Sequence, residues 1–295
     1  MTVTLNDLFI SRWRWRLRRL RPHVNDIDII VEHEEDILTV GVRPPSDTAA
    51  RIGELIARLI EDGSTLQIGL DAMSQATIQG LSEKNDLGIH SQYLSDDIMH
   101  LYSKGVITNR RKGFNDGKLV ASSAIGSRNL YDFLDNNPAV DFHPSDYVND
   151  PFIISRHNRM VSMNVARTMD LTGQVEVEAS ALTFFAGASG IVDFTRGAKR
   201  SPGGKSLLML SSTSDDGATS NIVPTLTNTN VAVPRADVHY VVTEYGAVNL
   251  FGKSLQERVV AMISLAHPDF REGLFADAKQ LGLIGPERTL GEAVR

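Results

Sequence analysis

Residues 46–70, SDTAARIGELIARLIEDGSTLQIGL, join an amphipathic helix directly to a short apolar strand. Five apolar residues recur at helical spacing and form one face of the helix: Ile52, Leu55, Ile56, Leu59 and Ile60. Ser46 or Asp47 is the expected N-cap of this helix, and Gly63 is its expected end. A buried strand that follows such a helix at once favours a parallel sheet covered by helices.

The same alternation continues along most of the chain. The predicted strands lie over 28–33, 65–70, 87–90, 119–123, 159–164, 205–211 and 236–242, and the predicted helices over 46–63, 73–82, 93–104, 127–136 and 254–266. We therefore predict an α/β fold with an open sheet and helices on both faces. Because ligands of such sheets bind at the carboxyl ends of the strands, the bends after QIGL and after LGIH are candidate site positions.

Composition excludes several classes of protein. The chain of 295 residues has no cysteine, which excludes disulfides, thiolate metal sites and a cysteine nucleophile. Its formal charge of −6 gives no general attraction to nucleic acid or to an anionic membrane. The sequence has no apolar run of about 18 residues and no secretory signal, so we expect a cytoplasmic protein. The histidines lack the spacing of a zinc site, and no metal is expected.

Residues 11–23, SRWRWRLRRLRPH, differ from the rest of the chain because arginines alternate with tryptophan and leucine. Both tryptophans of the chain, Trp13 and Trp15, lie here. The alternation is typical of an edge strand or terminal arm whose arginines face water. It is also compatible with a surface that binds phosphates or docks another polypeptide, for which tryptophan is a good anchor.

Two glycine-containing segments are candidate ligand loops. In SPGGKS (201–206), a phosphate-binding Walker A loop would need glycine at position 199, where the chain has Lys199. What remains is a basic turn in which Lys205 could meet a phosphate, although a solvated hairpin loop is the simpler interpretation. In FFAGASGIVDF (184–194), the small residues allow the backbone N–H groups to approach an oxyanion: Gly187, Ala188, Ser189 and Gly190. A tight turn that needs glycine only for steric reasons explains them equally well.

Further candidates lie at the ends of predicted strands. LGIHSQYLSDD (87–97) carries His90 and Gln92 where the strand bends into a helix. Glu244 follows the buried strand in DVHYVVTEYG, as either a functional carboxylate or a capping residue.

A set of segments, in order from about residue 55 to 275, resembles one family, the acetyl-CoA hydrolase/transferase (4-hydroxybutyrate CoA-transferase) family, mainly its C-terminal catalytic domain. They are LIEDGSTLQIGL, DLGIHSQYLSDD, LYSKGVIT, GKLVASSAIGSRNLYDFLDNNP, DYVNDPFII, MDLTGQVEVEAS, FFAGASGIVDF, GGKSL, PRADVHYVVTEYGAVNLFGKSLQERV and AHPDFRE. The resemblance implies the NagB/RpiA-like CoA-transferase fold and a coenzyme A thioester as ligand. Residues 46–295 are then the CoA-transferase-like C-terminal domain, and residues 1–45 an N-terminal arm with a remnant of the first domain.

The resemblance also implies a reaction through a glutamate, the last residue of a G-I-H-[ST]-E pattern. Its carboxylate attacks the acyl-CoA, and a glutamyl-CoA thioester forms. This sequence has Gln92 at that position, and a carboxamide cannot form the anhydride or the thioester. Two further loops depart from the pattern: after QIGL, where Gly69 and Asp71 are candidate ligand contacts, and at Ser189 and Ile191.

Three hypotheses follow from these departures. The chain acts on an acyl-CoA without a glutamyl intermediate, by hydrolysis, decarboxylation or a related reaction. Gln92 and the Gly187–Gly190 backbone then stabilise the oxyanion, and a base comes from Glu178, Glu244, His90 or Asp71. Alternatively it is a non-catalytic subunit or scaffold, or an ordinary CoA-transferase with the glutamate supplied from elsewhere. The resemblance implies a site between two domains, so a second subunit, or a homodimer, is the expected partner.

Overall fold

The computed structural model describes residues 2–6, 28–33, 36–41, 44–177 and 190–293. Its strands are β1 (Thr2–Asn6), β2 (Ile29–His33), β3 (Thr65–Gln67), β4 (Gly88–Leu94), β5 (Leu119–Ala124), β6 (Val140–Phe142), β7 (Met160–Val165), β8 (Thr168–Asp170), β9 (Val175–Glu176), β10 (Lys205–Met209), β11 (Ile222–Val223), β12 (Tyr240–Thr243) and β13 (Gly246–Asn249). Its helices are α1 (Asp47–Leu59), α2 (Ala72–Gln79), α3 (Asp96–Ser103), α4 (Arg128–Leu134), α5 (Ser145–Val148), α6 (Pro151–Ser155), α7 (Ile191–Arg200), α8 (Leu255–Leu265), α9 (Pro268–Gln280) and α10 (Leu290–Ala293).

Eight strands form one open sheet in the order β13-β12-β10-β7-β3-β4-β5-β6. All neighbours are parallel except β12 and β13, which form an antiparallel hairpin. Two small sheets accompany it, the parallel pair β1–β2 and the three strands β11-β8-β9. Strands β4, β5 and β6 lie on one side of β3, whereas β7, β10 and β12 lie on the other. The order of the sheet therefore reverses at β3 and β7, where open α/β sheets bind ligands.

Helices cover both faces of this sheet. In β10, Leu207 and Met209 pack into the apolar cluster that contains α1 to α4, whereas Leu208, together with Leu210 just after the strand, packs into the cluster that contains α8 and α9. Adjacent residues of a strand point to opposite faces, so a strand buried on both sides has no polar face. The predicted α/β fold with an open sheet is confirmed. Within the described ranges, none of the helices has the length and apolar character needed to cross a membrane.

The predicted helix over 46–63 is present as α1, but it ends at Leu59 with Ile60 as its C-cap, so the expected end at Gly63 was wrong. Ser46 is its N-cap and accepts a hydrogen bond from the backbone N–H of Ala49 at 3.2 Å. The predicted strand over 87–90 was too short and the predicted helix start at 93 was too early, because β4 continues to Leu94 and α3 begins only at Asp96. Parallel pairing with β5 holds this extension, with Leu94 opposite Ala124. Gln92 therefore lies inside the strand, and not at the predicted bend after it.

The segment around Lys205 also differs from the sequence prediction. A basic turn or hairpin loop was predicted here, but the basic residues Arg196 and Lys199 lie in α7, and a short turn leads directly into β10. The segment is a helix-to-strand connection in a parallel sheet and not a hairpin. At the other end of the chain, α9 was missed; Pro268 at its first position and His267 as its N-cap mark its start.

Gly53 lets α1 approach α2 closely. A β-carbon at this position would lie 2.6 Å from the backbone carbon of Ala76 and 2.7 Å from the backbone nitrogen of Thr77. We expect Gly53→Ala to lower the free energy of unfolding by about 1–3 kcal/mol, since a backbone must move to relieve the overlap. Urea unfolding measures this. The control Gly273→Ala, in α9 with open space around its β-carbon, should raise stability by roughly 0.5–1 kcal/mol. Equal stability of the two variants would contradict the packing described.

Candidate active site

Gln92 lies near the carboxyl end of β4, half-buried, with its side-chain amide against Gly190 at the start of α7. A β-carbon on Gly190 would be only 2.5 Å from Gln92 Nε2 and 2.9 Å from Asn149 Nδ2. Only glycine leaves room for both carboxamides at this point. The structure thus brings together two of the residues singled out from the sequence, Gln92 and Gly190, and adds Asn149 to them.

Asn149 is the C-cap residue of the short helix α5. Its Oδ1 atom is buried and has no hydrogen-bond partner among the described residues, although buried polar atoms are normally paired. Asn149 was missed in the sequence, although the segment DYVNDPFII that carries it contributed to the family resemblance. Nothing in the local pattern indicates that this asparagine packs against a helix start more than forty residues later.

The first turn of α7 adds backbone donors to the same place. Gly190 is the N-cap residue of this ten-residue helix, and no side chain caps it. The first N–H groups of a helix have no partner within the helix, and the helix dipole makes this end attractive to negative charge. The first turn also carries the carboxylate of Asp193, and Gln92, Asn149 and the helix end together offer N–H groups. Such a set can stabilise an oxygen atom that becomes negative during a reaction.

The residues at the bend after β3 have a structural role. Asp71 is the N-cap of α2 and accepts hydrogen bonds from the backbone N–H of Ser74 at 2.8 Å and from its hydroxyl at 2.7 Å. Gly69 is required here, because a β-carbon would be 2.4 Å from Asp71 Oδ2. The Ser91 hydroxyl in β4 accepts a hydrogen bond from the backbone N–H of Ile68 and donates one to its carbonyl oxygen, each at 3.2 Å. These bonds connect the end of β3 to β4. These capping hydrogen bonds account for an aspartate at position 71, so a role as a base is not needed to explain it.

His90 lies in the interior beneath Gln92. It is fully buried, and its Nε2–H donates to the backbone oxygen of Val148 at 2.8 Å. Its ring lies 4.4 Å from that of His157. Burial, assisted by the charge of Lys112, lowers the pKa of His90 to about 3. The expectation that His90 acts as a base on a ligand does not agree with this placement, because no ligand atom can reach the imidazole.

The bases buried under the site give a stability prediction. Burial lowers the pKa of His157 as well as that of His90, and it lowers the pKa of the fully buried Lys112 to about 7. Between about pH 6.5 and pH 4 the unfolded chain therefore binds more protons than the folded chain. The free energy of unfolding should therefore decrease as the pH is lowered through this window, by up to about 1.4 kcal/mol per pH unit for each buried histidine.

The variant His157→Phe tests this. It removes one titrating ring but keeps the contacts with His90 and Phe114, whose rings lie 4.4 and 5.6 Å away. Urea unfolding at pH 7, 6, 5 and 4 should give a slope against pH that is lower than the parent's by about 1.4 kcal/mol per unit. The exposed His100→Gln should keep the parent's slope. An unchanged slope in His157→Phe would contradict the burial of a neutral His157.

Two predicted site residues lie far from Gln92. Glu244 follows β12, four strands from β4, which is about 19 Å of sheet width. It accepts hydrogen bonds from Ser212, from the backbone N–H at 3.0 Å and from the hydroxyl at 2.6 Å. Lys205 starts β10 at the amino edge of the sheet, opposite to the edge of Gln92, and binds Glu61 at 2.7 Å. The structure therefore does not bring these two residues to the site.

The remaining predicted site residues lie outside the described part of the chain: Glu178, Gly187, Ala188 and Ser189. The same holds for the arginine- and tryptophan-rich segment 11–23. Their roles stay predictions, as do the division at residue 45 and the second subunit.

Comparison with known proteins gives one consistent result. The model of the acetyl-CoA hydrolase/transferase C-terminal domain matches residues 126–278. The 4-hydroxybutyrate coenzyme A transferase of Clostridium kluyveri is 43% identical over 95% of this chain and 63% of its own length. The succinyl-CoA:cyclohexane-1-carboxylate CoA transferase of Geobacter metallireducens is 38% identical over 89% of this chain and 60% of its own length.

Among solved structures, the crystal structure of RipA from Yersinia pestis superposes with a TM-score of 0.84 at 40% identity. The superposition covers 89% of this chain and 60% of RipA. The chain thus spans about three fifths of the length of the proteins it matches.

Proposed function

Because the chain belongs to the acetyl-CoA hydrolase/transferase family, we propose that it binds an acyl-CoA thioester with the carbonyl oxygen against Gln92, Asn149 and the start of α7. We further propose that the thioester reacts there without a glutamyl-CoA intermediate. Hydrolysis is the simplest such reaction, and decarboxylation of a suitable acyl group is a related one.

The convergence of two side-chain amides on Gly190 carries this proposal. Gln92 Nε2 and Asn149 Nδ2 both lie within 3 Å of the position of a β-carbon on Gly190, at a helix N-terminus that no side chain caps among the described residues. When a nucleophile adds to a thioester, the carbonyl oxygen takes up negative charge. Donors that are already oriented toward that oxygen lower the barrier, and loss of one such donor costs roughly 10²- to 10³-fold in rate.

The chemistry of a carboxamide speaks against a covalent step at position 92. A carboxamide has no anionic oxygen, and its nitrogen lone pair is delocalised, so it donates hydrogen bonds better than it attacks a carbonyl. The nucleophile then has to come from solution, as water or as a bound carboxylic acid. Ordinary CoA transfer is the second candidate function, because the relatives at 43% and 38% identity bear the names of CoA transferases.

The test uses the full chain and a panel of acyl-CoA thioesters that includes acetyl-, butyryl- and 4-hydroxybutyryl-CoA. Calorimetry measures binding, release of free thiol measures turnover with and without acetate, and intact mass reports covalent CoA. We expect binding and acetate-independent thiol release with no mass increase. Absence of binding to every thioester would refute the proposal. Acetate-dependent transfer with a CoA adduct would instead establish ordinary CoA transfer.

A further inference from the structure

Acetate-independent hydrolysis needs a base near Gln92, and the bases expected from the sequence are poorly placed among the described residues. The His90 imidazole is buried, the Asp71 carboxylate caps α2, and Glu244 lies four strands away. One carboxylate does lie at the N-terminal end of α7, the end that faces Gln92. Asp193 is in the first turn of this helix, three residues after Gly190, and it is half-buried.

The direction of the Asp193 side chain follows from helix geometry. Side chains of a helix lean toward its N-terminus, so a carboxylate at the third position extends in the direction of the N-cap. For Asp193 that N-cap residue is Gly190, against which the Gln92 amide packs. A carboxylate there can hold a water molecule next to a carbonyl group bound by Gln92.

The charges around Asp193 come from α7 and from the turn before α6. Arg196, one turn later in α7, is the cation whose charge acts on Asp193, but its Nε atom binds Asp237 at 2.8 Å. Asp150, next to Asn149, is held by the backbone N–H of Phe152 at 2.8 Å and repels the charge of Asp193. No salt bridge joins Asp193 to a cation in the described ranges. Burial first, and Asp150 second, raise the pKa of Asp193, while Arg196 lowers it.

We propose that Asp193 is the general base that activates water for hydrolysis of the acyl-CoA bound at Gln92, an inference that rests on the proposed function. Asp193 takes a proton from the water as its oxygen bonds to the thioester carbon. The carbonyl electrons move onto the oxygen that faces Gln92 and Asn149. Collapse of this intermediate breaks the C–S bond, and the proton passes from Asp193 to the departing sulfur. The products are the free carboxylic acid and CoA.

A base of this kind predicts the pH dependence. Only ionised Asp193 can accept the proton, so kcat/KM should fall as the pH drops through its raised pKa. Asp150→Asn removes a negative neighbour, which should move this fall to lower pH. Arg196→Gln removes a positive neighbour and should move it to higher pH. A merely structural role of Asp193 would leave the position of the fall unchanged in both variants.

The main test compares Asp193→Asn with the parent for both binding and hydrolysis. We expect hydrolysis to fall by at least about 100-fold while the Kd for the acyl-CoA stays within threefold. Asp193→Glu, which keeps a carboxylate, should retain partial activity, and the exposed Asp215→Asn should match the parent. Circular dichroism and urea unfolding verify the fold of each variant.

The outcomes separate this inference from the proposed function. If the parent binds acyl-CoA and Asp193→Asn hydrolyses it within threefold of the parent's rate, the base is another group and the inference is wrong. If the parent binds but shows no hydrolysis, the inference is also wrong, whereas binding at Gln92 stands. If the parent binds no acyl-CoA, the proposed function fails and the inference fails with it.

Discussion

Replacing Gln92 with glutamate is expected to create CoA-transferase activity and a covalent CoA adduct on residue 92. The two side chains have nearly the same shape, so the new carboxylate should occupy the place of the amide at the carboxyl end of β4. There it meets the start of α7, where negative charge is favoured. The family resemblance implies that a carboxylate at this position attacks the thioester. We expect acyl transfer to acetate to rise at least about 100-fold above the parent's rate.

The measurement is direct. Gln92→Glu incubated with an acyl-CoA should gain the mass of CoA, and peptide mapping should locate the adduct at residue 92. The control Gln79→Glu makes the same chemical change at an exposed position of α2 and should show neither adduct nor transfer. An inactive but folded Gln92→Glu that still binds acyl-CoA would mean that the loops around position 92 no longer hold the thioester carbon in reach of a nucleophile.

Gly190→Ala is expected to abolish most acyl-CoA binding while the protein stays folded. The added methyl group would lie 2.5 Å from Gln92 Nε2 and 2.9 Å from Asn149 Nδ2, so both amides must turn away from the helix start. Loss of two hydrogen bonds to one oxygen corresponds to about 2–3 kcal/mol, or roughly 30- to 150-fold in Kd. The displaced atoms are the ends of flexible side chains, so the free energy of unfolding should change by less than about 1 kcal/mol.

Calorimetry with the best-bound acyl-CoA measures the Kd, and urea unfolding measures stability. Gly273→Ala adds the same methyl group to α9, where nothing lies within 4 Å, and should bind as the parent does. A Gly190→Ala protein that binds acyl-CoA with the parent's Kd would place the thioester somewhere other than the start of α7. Gly190→Ala and Gln92→Glu thus examine the same place by steric and by chemical means.

Local pattern was a good guide to elements that periodic burial defines. The apolar spacing in 46–63 and the cap at Ser46 predicted α1 because both are properties of neighbouring residues. The same reasoning ended β4 too early, since the polar residues Ser91 and Gln92 look like a turn. Pairing with β5 decides that they extend the strand, and this pairing has no local signal.

The sequence by itself determined the α/β class, the position of Gln92 at a strand end and the family, because hydrophobic periodicity and motif spacing are written along the chain. Only the tertiary structure decided which of the chemically capable side chains meet. The order of the strands put Glu244 and Lys205 out of reach of Gln92, burial made His90 an interior group, and helix packing brought Asn149 and Gly190 to the same amide. Such juxtapositions depend on contacts between segments distant in sequence, whose free energies are set by the whole packed core.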